Sequence, residues 1–440
     1  MRKTIISILL AGVSILNYAQ TQSGVYQSVV AADGSGNYKT IQEAVDAAPE
    51  KQTKPWLIFV KNGSYEEQVV IPKEKPYIHL IGQDKNKTII HLSLNVGGKP
   101  TGKESEAVLP YWEVSVHNPS SPVYKREGSV VMIKAPHFYT ENISYINDWG
   151  VLAENGPQAL AMKSFADCAS FNNCIFRSWQ DTWQTSPNDA HRHYVKNCRI
   201  EGAIDYFYGG GDVLVENSTF YNTRSGAILT APCQKDAKWG YVFKNCIVDG
   251  NEAAANVKRW GVKFGRPWRN SPKAVFINTT LNIPINPEGW TDMGTIPALF
   301  AEYNTSDAKG NPVDLSRRKT EYQYKDRSTG EQVKGTSRTT ISKEEADKYT
   351  YENIISATDG WNPRKMMQQM DAPRDLAYQG GKFSWNAVKG AAGYIIYDGE
   401  NIVGFTTTDT SFPVSKINYT LKVCAVNPYG ALGKIEVLRK

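Results

Sequence analysis

The sequence predicts an all-β protein in which a solenoid of parallel strands is followed by a small C-terminal β-sandwich. Two observations indicate the solenoid: a short strand pattern recurs six times, and an asparagine marks the same position in every copy. A third observation separates the sandwich, because beyond Pro373 the repeat gives way to short strands of alternating character. Each repeat would form one coil, whose apolar face is covered by the coils next to it.

The six copies of the repeat place their asparagines 20 to 33 residues apart. This spacing is too short for parallel strands joined by a full helix each time. A β-propeller would need antiparallel hairpins within a period of about 40–50 residues, and the sequence has no such pattern. Stacked asparagines are expected to form a ladder of hydrogen bonds. The copies are Thr140–Tyr145, Phe171–Phe176, Val195–Ile200, Val215–Phe220, Phe243–Val248 and Phe276–Leu281.

The N-terminal residues 1–20 are typical of a secretory signal. Arg2 and Lys3 precede an apolar run from Ile5 to Leu16, and Asn17–Ala19 provides a cleavage site. The apolar run is too short to cross a bilayer. We therefore expect the mature protein to be exported, either secreted or periplasmic.

The first element of the mature chain is predicted to be a helix over Tyr38–Ala48. Its apolar residues recur at helical spacing, and Thr40 with Glu43 forms a capping box. A turn is expected at Asn62 and Gly63. Short strands are expected at Trp56–Lys61, Gln68–Pro72, Ile78–Ile81 and Thr88–Leu92.

The C-terminal third of the chain divides into two parts. After Trp290 the repeat loosens, and we interpret the polar residues 303–345 and the segment that Trp361–Pro363 closes as a tail that folds back along the flank of the solenoid. Further strands are predicted at Phe383–Trp385, Tyr394–Tyr397 and Tyr419–Ala425. The segments Ser384–Asn386 and Ala425–Gly430 resemble a fibronectin type III domain. The predicted domains are therefore residues 21–365 and 371–440, and we expect the second to be dispensable for turnover.

Charge and cysteine usage limit the function classes. The formal net charge is +6 without a dense Lys/Arg block, which supports nucleic-acid binding only weakly and is equally consistent with an acidic polymer as partner. An exported protein could oxidise its six cysteines, yet Cys174, Cys198 and Cys246 occupy equivalent repeat positions, which favours free, buried thiols. No Cys/His spacing resembles a zinc site, and we predict no metal or other cofactor.

Two aspartates, Asp181 and Asp205, lie 24 residues apart in aromatic surroundings. If one coil is about 24 residues long, they occupy equivalent positions on adjacent coils, whose strands lie about 4.8 Å apart. A carboxylate in apolar surroundings is costly unless another group pairs with it. The pair therefore predicts either an acid/base or nucleophile pair, or two structural aspartates in turns.

Five short motifs, spread over about residues 30–365, carry a resemblance to the pectin methylesterases, or pectinesterases. Each motif alone is weak, but their order and spacing are jointly specific. The resemblance implies a right-handed parallel β-helix and an enzyme that hydrolyses the methyl esters of polygalacturonate, releasing methanol. The motifs are Gly63–Glu67, Gln158–Ala161, Gln180–Thr182, Ile204–Gly209 and Gly265–Trp268.

The resemblance also implies roles for individual residues. Asp205 would be the nucleophile, and Asp181 the general acid and then base. Gln158 and Gln180 would hold the substrate and stabilise the oxyanion, whereas Tyr65 and Glu67 are expected to be structural. Substrate contacts would come from Arg266, which also pairs with Asp205, and from Trp268, Tyr208 and Gln158.

The sequence departs from the family pattern at Trp183, Tyr206, Tyr208 and Lys163, and we expect these departures to affect the substrate subsites. Two other functions remain open at this point: a β-helix lyase acting on the same polymer, and a non-catalytic glycan-binding protein. A calcium-dependent lyase should show an acidic cluster around Arg266, which the sequence lacks. We expect a monomer that binds methyl-esterified homogalacturonan and neither nucleic acid nor a membrane.

Overall fold

Stacked coils form the larger part of the molecule. The computed structural model describes residues 24–96, 112–115, 123–126, 128–356 and 359–439, so the predicted signal over residues 1–20 lies outside the described residues. The strands of the coiled part and of one short hairpin (β7 and β8) are β1 (Ser28–Val30), β2 (Trp56–Val60), β3 (Gly63–Glu66), β4 (Val69–Ile71), β5 (Ile78–Gly82), β6 (Thr88–Leu92), β7 (Trp112–Ser115), β8 (Val123–Arg126), β9 (Ser129–Ile133), β10 (Tyr139–Glu141), β11 (Ser144–Asn147), β12 (Leu160–Ser164), β13 (Ala169–Asn172), β14 (Ile175–Arg177), β15 (Trp183–Thr185), β16 (Arg192–Lys196), β17 (Arg199–Gly202), β18 (Ile204–Gly209), β19 (Asp212–Glu216), β20 (Thr219–Asn222), β21 (Ile228–Pro232), β22 (Tyr241–Lys244), β23 (Ile247–Gly250), β24 (Lys263–Gly265), β25 (Lys273–Ile277), β26 (Thr280–Leu281), β27 (Leu299–Tyr303) and β28 (Ser306–Asp307).

Nine further strands and a few short helices complete the described chain. The strands are β29 (Glu321–Lys325), β30 (Gln332–Thr336), β31 (Ala377–Gln379), β32 (Lys382–Ser384), β33 (Gly393–Asp398), β34 (Asn401–Thr406), β35 (Ser411–Pro413), β36 (Leu421–Val426) and β37 (Leu432–Val437). The helices are α1 (Ile41–Asp46), α2 (Asp148–Ala153), α3 (Glu252–Ala255), α4 (Lys343–Ala346), α5 (Tyr351–Ile354) and α6 (Pro363–Met366). Within the described residues, no helix is long and apolar enough to span a membrane.

Three parallel sheets run the length of the coiled part. The first has the order β1-β2-β5-β10-β13-β16-β19-β22-β25-β27, the second β28-β26-β23-β20-β17-β14-β11-β6-β3, and the third β24-β21-β18-β15-β12-β9-β4. A complete coil therefore gives one strand to each sheet. This is the parallel β-helix that the sequence predicts, and its right-handed sense follows the rule for parallel crossovers.

The repeat asparagines make the turn between the first and second sheets. All six have a left-handed backbone, with φ between 50° and 61°, a conformation that asparagine tolerates better than most residues. The predicted ladder is seen in part: Asn173 donates to the side chain of Asn142 at 2.7 Å, and Asn278 to that of Asn245 at 3.0 Å. Between these steps Asn197 donates instead to Asn172, at 3.1 Å. Asn304 extends the ladder with a bond to Asn278 at 2.9 Å, a seventh copy that the sequence pattern missed.

The interior of the coils is apolar and aromatic. Phe171 packs edge-on against Trp183 with ring centroids 4.5 Å apart, and Phe243 stacks on Phe276 at 4.3 Å. The six cysteines are free. Cys174, Cys198 and Cys246 are buried, as predicted, and the backbone N–H of Cys174 donates to the sulfur of Cys198 on the next coil at 3.4 Å.

The N-terminal elements follow the prediction with two differences. Helix α1 has the predicted capping box but is shorter than the predicted span, and the carboxylate of Glu67 also accepts bonds from the N–H groups of Ile41 and Gln42. The segment expected to turn at Gly63 is strand β3, in which Tyr65 is buried. Tyr65 and Glu67 are structural, as predicted.

The tail folds back over the outer face of the first sheet, as predicted. Tyr351 packs against Tyr194 of β16 with ring centroids 5.2 Å apart, and Arg364 pairs with Glu216 of β19 at 3.0 Å. Hairpin β29–β30 belongs to this tail.

The C-terminal unit is an antiparallel β-sandwich with one sheet of β31-β32-β35 and another of β34-β33-β36-β37. It packs tightly on the β-helix. Phe405 contacts Tyr26 and Phe59 with ring centroids 5.9 Å and 5.5 Å away, and the hydroxyl of Tyr26 donates to the carbonyl of Gly430 at 2.8 Å. The buried Glu141 accepts the N–H of Leu432 at 3.2 Å. The boundary is therefore a continuous apolar interface.

Candidate active site

The predicted catalytic residues lie at the starts of neighbouring strands of the third sheet. Gln158 lies just before β12, Gln180 and Asp181 just before β15, and Asp205 is the second residue of β18. A bridge between Gln180 and Ile204 sets the two neighbouring coils in register, so the residues that follow, Asp181 and Asp205, occupy equivalent positions. The coil geometry expected from the 24-residue spacing is confirmed.

Both aspartates have left-handed backbones, with φ of 63° at Asp181 and 49° at Asp205. The N–H of Asp181 donates to the carbonyl of Ile204 at 2.9 Å, which ties one coil to the next at this point. Left-handed residues outside glycine cost about 1–3 kcal/mol when the surroundings enforce them, and they are concentrated at functional sites. Aspartate is among the residues that adopt this conformation most readily.

Arg266 holds Asp205 through a two-point ion pair. Its Nε donates to Oδ1 at 2.8 Å and its Nη2 to Oδ2 at 2.6 Å. The Asp205 side chain is only 8 % exposed, and that of Arg266 is 26 % exposed. Such a fork matches the planar guanidinium to the carboxylate and fixes the orientation of both. Arg266 reaches this position because it directly follows β24, where its N–H donates to the carbonyl of Thr230 at 3.0 Å.

The two carboxyl groups hold their protons unequally. Burial raises the pKa of Asp181 well above its ordinary value, and the charge of Asp205 raises it further. Burial also raises the pKa of Asp205, but the hydrogen bonds and positive charge of Arg266 oppose that rise. Of the two acids on adjacent coils, Asp181 therefore retains its proton more readily, and Asp205, paired with Arg266, ionises more readily.

A small apolar patch adjoins the carboxyl pair on the outer face of the third sheet. Tyr208 and Trp268 meet edge-to-face with ring centroids 5.5 Å apart, and Leu160 and Ala231 complete the patch. The side chain of Tyr208 also hydrogen-bonds to Asp181, which lowers the pKa of that carboxyl group. Leu160, Tyr208 and Ala231 are buried, so the half-buried Trp268 supplies the accessible apolar surface, and a flat aromatic ring suits the face of a sugar.

The glutamines lie at the same strand starts. Both Gln158 and Gln180 are half-buried, and their backbone carbonyls accept bonds from Val96 at 2.7 Å and Ala159 at 3.1 Å. These bonds fix the position of the main chain at both glutamines, from which the two amide side chains extend.

The expectation that all four departures affect the subsites is wrong for two of them. Trp183 and Tyr206 are completely buried in the coil interior. Trp183 lies on the inward face of β15, whereas Tyr206 lies where the register of β18 shifts, so that both Tyr206 and Phe207 enter the core. Tyr208 and Lys163 lie on the opposite face, since Gln184 pairs with both in the sheet register. Tyr208 is the departure that reaches the carboxyl pair.

One group among the described residues brings together three side chains of metal-binding type: Asp167, Cys168 and Asp359. The guanidinium of Arg192 bonds both carboxylates, at 2.8 Å and 2.5 Å. The group is therefore an ion-pair cluster organised around an arginine.

A cleft of about 870 Å³ lies between the first coils and the sandwich. Tyr38 and Lys61 line it on one side, Val403 and Phe412 on the other. It contains none of the predicted site residues. The candidate catalytic residues therefore lie outside this cleft, on the outer face of the third sheet.

Sequence reasoning assigned Tyr208 to the substrate and missed its bond to Asp181. Regular alternation would place Asp205 and Tyr208 on opposite faces of β18. The register of this strand shifts between Ile204 and Phe207, and no sequence signal indicates that shift. Sequence reasoning also missed a contact chain on the second sheet, in which Ser64, His91 and Asp148 are joined by hydrogen bonds; these residues lie on three different coils, so no local motif indicates them.

Comparison with known proteins agrees with the fold and with the motifs. The family model described as Pectinesterase matches residues 27–109 and 123–358. A pectinesterase from Petunia integrifolia is 30% identical over 319 residues, covering 69% of this chain and 76% of the relative. A probable pectinesterase/pectinesterase inhibitor from Arabidopsis thaliana is 30% identical over 303 residues, covering 66% of this chain and 48% of the relative. The chain spans about half the length of several curated relatives from Arabidopsis thaliana, including this one.

Solved structures show the same architecture. The pectin methylesterase from carrot superposes with a TM-score of 0.59 at 26% identity, covering 75% of this chain and 93% of the carrot chain. A pectin methylesterase in complex with a hexasaccharide superposes with a TM-score of 0.56 at 21% identity, covering 77% and 98% of the two chains.

Proposed function

This chain belongs to the pectinesterase family, and we propose that it hydrolyses the methyl esters of polygalacturonate to demethylated pectin and methanol. The observation that carries the proposal is the carboxyl pair: Asp205 is held by Arg266 at 2.6–2.8 Å, while burial and the charge of Asp205 raise the pKa of Asp181. Ester cleavage through a carboxylate needs this combination of one ionised and one protonated acid.

In the first half of the reaction, a carboxylate oxygen of Asp205 attacks the ester carbonyl. The amide groups of Gln158 and Gln180 donate hydrogen bonds to the oxyanion that develops; one such donor contributes about 10²–10³ in rate. Asp181 then gives its proton to the leaving methoxide, which departs as methanol. The product of this half is an acyl group on Asp205 and an ionised Asp181.

In the second half, Asp181 accepts a proton from water, and the resulting hydroxide attacks the acyl group. Collapse of the tetrahedral intermediate restores the Asp205 carboxylate and leaves a free galacturonate. Arg266 stabilises the carboxylate that is regenerated. Asp181 thus alternates between its protonated and ionised states as general acid and base, whereas Asp205 alternates between a free carboxylate and an acyl group.

The patch formed by Tyr208 and Trp268 would receive the sugar rings of methyl-esterified homogalacturonan. The hexasaccharide complex of the structural relative supports an oligosaccharide partner. A modest positive formal charge of +6 suits the acidic product strand. We propose that neither nucleic acid nor a membrane is a partner and that no cofactor takes part.

The organisation of the chain is proposed on the same basis. Residues 1–20 direct export to the periplasm or the medium, residues 21–365 carry the esterase, and residues 371–440 form a fibronectin type III-like domain. Seven antiparallel strands divided between sheets of three and four strands support the last assignment. Because the coils bury their core within one chain, we propose a monomer.

Incubation of the purified protein with highly methylated pectin tests the function. Methanol release in step with new carboxylate groups is expected. New unsaturated ends would indicate a lyase, and retention on the polymer without turnover would indicate a binding protein; either result contradicts the proposal.

A further inference from the structure

A second set of reactive side chains lies on the second sheet, apart from the carboxyl pair. The Oγ of Ser64 in β3 is 2.7 Å from Nε2 of His91 in β6, and Nδ1 of His91 is 2.6 Å from Oδ2 of Asp148. We propose that Ser64, His91 and Asp148 form an independent acyl-transfer site that hydrolyses small acyl esters. This is the arrangement of nucleophile, base and orienting carboxylate found in serine hydrolases.

The hydrogen bonds fix the roles of the two ring nitrogens. An ionised carboxylate can only accept a hydrogen bond, so Nδ1 of His91 donates to Asp148. In the neutral ring Nε2 is then the acceptor, and it faces the hydroxyl of Ser64. The imidazole is therefore in the tautomer that takes a proton from a nucleophile.

The carboxylate is held in place by its neighbour in the chain. The adjacent Asn147 is fully buried, and its side chain donates to the carbonyl of Leu160 at 3.0 Å and accepts from Trp149 at 3.1 Å. The side chains of His91 and Asp148 remain 22 % and 33 % exposed, and Ser64 is exposed. The pre-formed group is thus open to a ligand.

Backbone donors are available next to the nucleophile. Gly63 and Glu67 donate their N–H groups to Lys87 and His91 on the next coil, at 2.8 Å and 3.1 Å. N–H directions alternate along a strand, so those of Ser64 and Glu66 point the other way, toward the edge where β3 ends the second sheet of the described chain. An oxyanion on an acyl group attached to Ser64 would meet these donors.

The reaction balances with water as the only co-reactant. The Ser64 oxygen bonds to the acyl carbon, and its proton moves to Nε2 of His91. Collapse of the intermediate breaks the ester bond, and His91 returns the proton to the departing alcohol. Water then cleaves the acyl–serine bond by the same route and releases a carboxylic acid. Because Ser64 is exposed, the ester class that we assign to this site is a small acyl group, such as acetyl, on an exposed hydroxyl.

The test uses the full-length protein with Asp205→Asn, which disables the proposed methylesterase. A fluorophosphonate probe should label Ser64, as mapped by mass spectrometry, and p-nitrophenyl acetate should be hydrolysed. Both signals should disappear in Ser64→Ala and fall at least about 10²-fold in His91→Gln, since a general base contributes about 10²–10⁴. Ser328→Ala is the matched control, because Ser328 is exposed and bonded to Asp326 but has no histidine partner within its hydrogen bonds.

Absence of labelling at Ser64, equal labelling in His91→Gln, or labelling without release of p-nitrophenol would each overturn the proposal. Melting temperatures of the variants show whether they are folded. Because every measurement is made with Asp205 already replaced, failure here is separate from failure of the methylesterase assignment.

Discussion

Replacing Asp205 by asparagine tests the proposed nucleophile with little change in shape. The amide keeps the size of the carboxylate, but it forms no acyl-enzyme. Turnover should fall at least about 10³-fold, which corresponds to about 4 kcal/mol in the barrier. The substitution also removes the negative charge opposite Arg266. Breaking a fully buried pair costs about 3–5 kcal/mol, and because Arg266 is 26 % exposed we expect a loss at the lower end of that range.

Glu201→Gln is the matched control for the lost ion pair. The side chain of Glu201 is 8 % exposed, the same as that of Asp205, and it pairs with Arg177 at 2.7 Å and Arg199 at 2.9 Å. It lies in β17 of the second sheet, away from the proposed chemistry. This variant should lose stability to a similar extent but retain turnover.

The assay is methanol release from methylated pectin by folded, purified variants, with stability measured by denaturant unfolding. If Asp205→Asn retains more than about a tenth of wild-type turnover, the loss is far short of the barrier estimate, and Asp205 is not the nucleophile. An equal loss of turnover in Glu201→Gln would attribute the effect to structure.

Three further predictions concern the site, the interface and the turns. Tyr208→Phe removes a hydrogen bond that lowers the pKa of Asp181, so this pKa should rise. Because the reaction needs a protonated Asp181, activity falls as the pH rises through its pKa. The alkaline limb of the pH–rate profile should therefore move to higher pH. Phe405→Ala should cost about 3 kcal/mol of unfolding free energy through its contacts at the sandwich interface, with kcat unchanged in the folded protein. Asn278→Ala should lower the free energy of unfolding by about 2–4 kcal/mol, because it combines left-handed backbone strain with the loss of two ladder hydrogen bonds. Asn278→Gly should lower it by about half as much, because glycine adopts the left-handed conformation without strain. Denaturant unfolding of both variants measures the difference.

The coil architecture could be predicted because its determinants are local. A left-handed turn favours asparagine, and that turn returns with every coil, so the residue type alone reveals the period. The same logic located Asp181 and Asp205, since one coil length separates them. Arg266, by contrast, lies 61 residues after Asp205, and only the motif resemblance associated them before the structure did.

The unpredicted features depend on contacts between distant coils. Glu67 caps α1 from 25 residues away, and its sequence neighbours do not indicate that role. Trp183 directly follows one site motif and Tyr206 directly follows Asp205, yet both side chains are buried in the core. Proximity in sequence to a functional residue therefore says less than the face of the strand on which a side chain lies.

Strand β36 shows how far alternation can mislead when both faces are covered. The sequence pattern of Tyr419, Leu421, Val423 and Ala425 predicts one buried face. The last three of these residues fill the sandwich core, whereas Tyr419 is 68 % exposed. The residues between them, Cys424 and Val426, are equally buried, because they pack with the cluster that joins the sandwich to the β-helix. An appendage would present that second face to water. The sandwich therefore contributes to the stability of the coils, although we expect it to take no part in turnover. A chain ending near Met370 should melt at a lower temperature than the full-length protein. Where this truncated protein remains folded, it should release methanol at the full rate. Loss of specific activity in a folded truncated protein would contradict this separation of roles.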